Sequence, residues 1–84
     1  MKQIIKFYAD WCGPCHVMSP VVDEVSKEYD VPVRTVDIDK ESEMAQAYGV
    51  RSIPTVILLE DQREVARVVG AVPKYKLASE LKLT

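Results

Sequence analysis

Cys12 and Cys15 are the only cysteines in the chain, and with Trp11, Gly13 and Pro14 they form the string Trp-Cys-Gly-Pro-Cys. A bridge between sulfurs this close in sequence closes a very short loop. It contributes little to folding, because the loop-closure term grows with loop length. The pair is therefore a reagent or a set of metal ligands. A structural zinc site wants four ligands. His16 is the only histidine and there is no second cysteine pair, so a metal would require a second chain. Thiol–disulfide exchange is the chemistry the spacing favours, with no metal. Exchange needs a thiolate, and a free thiol with a pKa of about 8.5 is mostly protonated at neutral pH. A helix N-terminus favours negative charge through its unpaired amides and the positive end of its dipole. Cys12, at the N-cap edge, is expected to be the exposed attacking sulfur. Cys15, one turn in and on the same face, is expected to resolve the mixed disulfide. Gly13 lets a partner's backbone come close, and Pro14 is tolerated in a first helical turn, where its missing amide would be unpaired anyway.

The flanking sequence supplies elements to hold this pair. Residues 3–9 (QIIKFYA) are β-branched and aromatic and read as a strand. From Cys12 to Tyr29, Val17, Met18, Val21, Val22, Val25 and Tyr29 recur at helical spacing, with Pro20 inside predicting a kink. Residues 33–38 (VRTVDI) predict a second strand, and residues 41–48 a short helix stopped by Gly49, with Met44 in the core. Asp37, Asp39 and Glu41 resemble a carboxylate cluster, but Asp39 or Ser42 as a helix cap is the better reading. Thr55–Leu59 is an apolar run suited to a strand buried on both faces. Residues 60–63 turn the chain into a strand over 64–69. Pro73 suits a first helical position, with Leu77, Ala78 and Leu81 forming the last buried stripe. The order β-α-β-α-β-β-α predicts an α/β fold. Its first βαβ unit is parallel and right-handed, its last two strands are antiparallel, and helices cover both faces of a four-stranded mixed sheet.

The 84 residues fit one domain, 1–84, and 48% apolar with 29% charged residues is ordinary globular composition. A net charge of −2 gives no footprint for nucleic acid or an anionic membrane. No apolar run nears the roughly 20 residues of a membrane span. The first residues lack the apolar stretch of a secretory signal, so a cytoplasmic monomer is expected.

The chain closely resembles thioredoxin. The resemblance is carried by Phe7-Tyr8-Ala9-Asp10-Trp11-Cys12-Gly13-Pro14-Cys15, by Pro20 and by Val36-Asp37-Ile38-Asp39. It continues through Tyr48-Gly49-Val50-Arg51-Ser52-Ile53-Pro54-Thr55 and Val69-Gly70-Ala71. It implies a thioredoxin-like fold and a protein-disulfide reductase that carries electrons without a bound cofactor. Its partners would be protein disulfides and a thioredoxin reductase or other dithiol donor. It also implies a cis Ile53–Pro54 peptide packed against the disulfide. Trp11, Ile53, Val69 and Gly70 would then form an apolar surface for an extended substrate segment, which pairs with the backbone beside Pro54 as an added strand.

The chain departs from the family pattern in three places. It lacks the usual N-terminal strand and helix, which leaves the 33–38 strand at a sheet edge. His16 follows the second cysteine where the family usually has a basic residue. It either shuttles protons or, when charged, lowers a thiol pKa, or it points into solvent as a simple polar replacement, the reading favoured here. Lys6 stands where the family has a buried acid, and Thr35 where that acid's lysine partner is often found. Lys6 either snorkels to the sheet edge or lies near the thiols and favours the reduced form. Two other functions are compatible with the same cysteines: a glutaredoxin-like protein reduced by glutathione, and a binding subunit of a larger assembly. The Gly-Pro dipeptide and the lack of a Gly-Gly-Asp stretch before the last helix weigh against the glutaredoxin reading.

Overall fold

The computed structural model describes residues 1–84. Its elements run β1 (Lys2–Tyr8), α1 (Gly13–Tyr29), β2 (Val33–Asp37), α2 (Ser42–Ala47), β3 (Thr55–Glu60), β4 (Arg63–Val69) and α3 (Lys74–Glu80). The four strands form one sheet in the order β2-β1-β3-β4. β1 pairs in parallel with β2, from Ile4 opposite Val33 to Tyr8 opposite Asp37. The β1–β3 and β3–β4 pairs are antiparallel. This is the expected mixed sheet, with β2 at an edge.

Strand alternation divides the core between the two faces. Ile4, Val56, Leu58 and Val68 point to one side, where they meet Met18, Val22 and Val25 of α1 and Leu77 and Ala78 of α3. Ile5, Phe7, Val36, Ile57 and Leu59 point to the other side, against Ala45 of α2. The central strands β1 and β3 are thus buried on both faces, which is why they carry the longest apolar runs.

Local chemistry ends each element. Asp30 takes the left-handed conformation at φ 54° and donates its amide to the Ser26 carbonyl, closing α1. Asp61 and Gln62, at φ 51° and 70°, make the tight β3–β4 hairpin. That turn is shorter than expected because β3 extends to Glu60 and β4 begins at Arg63. Arg67 on β4 donates to the Tyr48 carbonyl at 2.6 Å, pinning the end of α2, while Glu64 accepts from Arg67. The Arg67 guanidinium holds the Glu64 carboxyl below the usual carboxylate range. Lys74 of α3 lies 2.6 Å from Glu28 of α1, and its hydrogen bond likewise lowers the Glu28 carboxyl.

Several local expectations are corrected. Val17 is 64% exposed and not part of the buried face of α1, which consists of Cys15, Met18, Val22 and Val25. Pro73 is the N-cap of α3, in extended conformation, and not its first helical residue. Neither Asp39 nor Ser42 caps α2; the N-cap is Glu41, which makes no capping side-chain bond. Met44 is only partly buried, against the α2-side core.

Candidate active site

The cysteines sit where β1 hands over to α1. A short turn links the two elements, with the Cys12 amide donating to the Ala9 carbonyl at 3.1 Å. Cys12 is the N-cap of α1, with the extended backbone of a cap at φ −92° and ψ 106°. Its Sγ accepts the Cys15 amide at 3.2 Å, so the sulfur occupies the position a serine or aspartate oxygen takes at an ordinary helix start. The helix dipole and this amide both favour negative charge on that sulfur. Cys15 is one turn into α1 and bonded to Cys12 as a disulfide, with the Cα atoms 5.3 Å apart. Cys12 is less exposed than the sequence led us to expect, at 5%, but remains the more accessible of the pair, with Cys15 at 1%. With Ala9 the two form a small apolar cluster, against which Tyr8, Ile38 and Ile53 pack. Gly13 and Pro14 lie exposed between them and open α1.

The distant site residues arrive from the opposite end of the chain. Ile53–Pro54 is cis, and Ile53 packs against the sulfur cluster. The Pro54 carbonyl accepts the Gly70 amide at 2.8 Å, which joins the 53–54 loop to the end of β4. Gly70 holds φ at 94°, a conformation that other residues rarely adopt. Val69 is exposed beside it, and Trp11 is 70% exposed on the turn before Cys12. Trp11, the cysteines, Ile53, Val69 and Gly70 thus lie in the turns and strand ends at one end of the sheet. Val17, four positions beyond Gly13 on the helix, adds an exposed apolar side chain that the sequence reading had assigned to the core.

Three supporting residues were not anticipated in these roles. The Trp11 indole donates to Asp39 Oδ2 at 2.9 Å, and the Asp39 amide donates to Asp37 Oδ1 at 2.9 Å. The carboxylates of the 37–41 segment therefore serve a turn, the indole and, through Glu41, an ion pair with Arg34. His16 is exposed, as expected, and in addition its Nε2 lies 2.8 Å from the Asp10 carbonyl, tying the helix to the turn before it. Lys6 does not snorkel out. It is 6% exposed and donates to Ser19 Oγ at 2.9 Å, while the Ser19 hydroxyl donates to the Cys15 carbonyl at 3.3 Å. The spacing of Ser19 four residues after Cys15, on one helix face, was the available signal.

A mixed sheet with helices on both faces, a disulfide across a helix N-terminus and a cis proline in the facing loop define a thioredoxin-fold dithiol protein. The thioredoxin family model matches residues 1–83. The chain is 45% identical over 80 residues to thioredoxin 1 of Synechococcus elongatus, covering 93% of this chain and 75% of that one. It is 46% identical over 80 residues to the thioredoxin of a Synechocystis species, with the same coverage. Among solved structures, a point-mutant thioredoxin from Halobacterium salinarum superposes with a TM-score of 0.86 at 38% identity, covering 99% of this chain and 77% of that one. Fasciola hepatica thioredoxin does so at 0.86 and 35%, covering 96% and 78%. The chain belongs to the thioredoxin family and is a thiol–disulfide oxidoreductase. No helix is long and apolar enough to cross a membrane.

Proposed function

We propose that residues 1–84 act as one domain that reduces exposed disulfides of other proteins by two-step exchange. The Cys12 thiolate attacks a target sulfur, forming a mixed disulfide and releasing the other target sulfur as a thiol. Cys15 then attacks Cys12, the target leaves with both sulfurs reduced, and the Cys12–Cys15 bond carries the oxidation away. A thioredoxin reductase or another dithiol donor returns the pair to the reduced state. The cycle needs a reducing compartment, which makes the cytoplasm its setting, and a monomer suffices because both sulfurs come from one chain. The carrying observation is Cys12 at the N-cap of α1 with its Sγ on the Cys15 amide. Trp11, Val69 and the backbone at Ile53, Pro54 and Gly70 receive the target segment as an extended strand.

Cys15→Ser keeps the attack and removes the resolving step. Incubated with a disulfide-bearing protein, this variant is expected to accumulate a stable adduct through Cys12 that added dithiothreitol releases. If no adduct forms, the two-step mechanism fails. Turnover of insulin sustained by thioredoxin reductase, and not by glutathione alone, would separate this reading from a glutaredoxin-like one.

Asp39→Ala frees the Trp11 indole from its one side-chain partner. A typical hydrogen bond contributes about 1 kcal/mol net, or roughly fivefold. KM for a protein disulfide is expected to rise by about that factor, while alkylation of Cys12 by iodoacetamide keeps its wild-type rate. An unchanged KM would show that the Asp39 bond does not hold the indole in place for target binding.

A further inference from the structure

A buried cation lies on the α1 side of the central strand outside every ion pair, with the buried Asp37, two residues on from Thr35 along β2, as the other buried charge on that face. Lys6 sits at the middle of the central strand β1, opposite the neutral residues Thr35 and Val56. None of the ion pairs in the chain includes it. Its Nζ has the Ser19 hydroxyl as hydrogen-bond acceptor and the Tyr8 ring 5.9 Å away. Lys6 shares a sheet face with Ile4, on the side covered by α1, and two hydrogen bonds separate its Nζ from the Cys15 carbonyl. Burying an ammonium without a direct ion-pair partner is costly. The cost falls when a further negative charge forms at the other end of the Lys6–Ser19–Cys15 chain, and opening of the disulfide creates one there.

We propose that Lys6, held by Ser19, is the counter-charge of the reduced pair and makes the Cys12–Cys15 couple a weaker reductant than the same site without the charge. The disulfide is neutral and the reduced pair carries a thiolate, so a fixed positive charge across the low-dielectric interior lowers the free energy of the reduced form alone. The couple is thereby matched to exposed or strained target disulfides, which accept electrons more readily than structural ones. Lys6 acts through the sulfurs and is a tuning residue, not a catalytic one. The inference rests on the dithiol-exchange reading above.

The test is equilibration of the full chain with a glutathione buffer. The Cys12–Cys15 bond breaks and one S–S bond forms between two glutathione molecules. Two electrons pass to the chain; of the two glutathione protons, one protonates a cysteine and the other goes to solvent wherever a thiolate remains. Lys6→Met is expected to lower the equilibrium constant for reduction of the chain about tenfold, which is about 30 mV for a two-electron couple. Lys6→Gln, which keeps a donor for Ser19 and drops the charge, is expected to match it and carries the test if the Met variant does not fold. Lys6→Arg is expected to stay within about twofold of wild type. A shift below twofold in the neutral variants, or an equal shift in the Arg variant, overturns the proposal. Failure here with normal wild-type insulin reduction sinks the Lys6 role alone, whereas a wild-type chain that reduces no insulin sinks the dithiol reading beneath it.

Discussion

Replacing Cys12 with serine is expected to lower insulin reduction by more than about a thousandfold, the scale seen when an attacking atom is removed. The substitution is unusually clean here. Cys12 caps α1 through its Sγ, and serine is itself a favoured N-cap whose oxygen can accept the same Cys15 amide. The lost bridge spans too short a loop to add much stability. The reduced wild type and the variant should therefore unfold in urea within about 1 kcal/mol of each other, which separates lost chemistry from lost fold. A variant that retained a tenth of the activity would show that Cys12 is not the nucleophile. A variant that lost stability by several kcal/mol would show that its cap is not the one described.

The second large effect concerns the fold. Phe7→Ala is expected to cost about 3–5 kcal/mol of unfolding free energy, the range for deleting a fully buried aromatic ring. Phe7 has no exposed surface and faces the α2 side of the sheet. Its ring meets that of Tyr48 at 5.7 Å between centroids with a 54° tilt, within the separation at which aromatic pairs attract. Against a typical domain stability of about 5–15 kcal/mol, such a loss leaves a substantial unfolded population at moderate urea. Urea denaturation of the reduced protein measures it. A cost below about 1.5 kcal/mol would mean that the α2 face is loosely packed and that the α1/α3 face alone holds the sheet.

The architecture was legible because its signals are local. The strand runs around Ile4 and Ile57, the helical spacing of Met18, Val22 and Val25, and the turn around Asp61 each declare an element within a few residues. Periodicity was coarser than it looked at Val17 and Met18. Adjacent apolar residues both fall near a helix's apolar stripe, and only packing against β1 and α3 decides that Met18 is covered and Val17 is not. The two sulfurs were readable from spacing and chemistry. The cis peptide at Ile53–Pro54 was not; it came from the family resemblance alone, because the facing loop is brought up by tertiary structure. Asp39 was missed as the indole's partner for the same reason, since 28 positions separate it from Trp11. Lys6 stood out as a charge in a central strand, but its link to Cys15 runs through Ser19 on another element, which no pattern within β1 could reveal.

Gly13 and Pro14 are both exposed, and a methyl group built on Gly13 meets no atom within 4 Å. Neither residue belongs to the two large clusters that hold the sheet between its helices. The fold itself therefore leaves room for a side chain at Gly13, and the limit on its size is set by the target backbone that approaches the sulfurs. A designer could add bulk at this point to narrow which targets reach the sulfurs without reworking the scaffold.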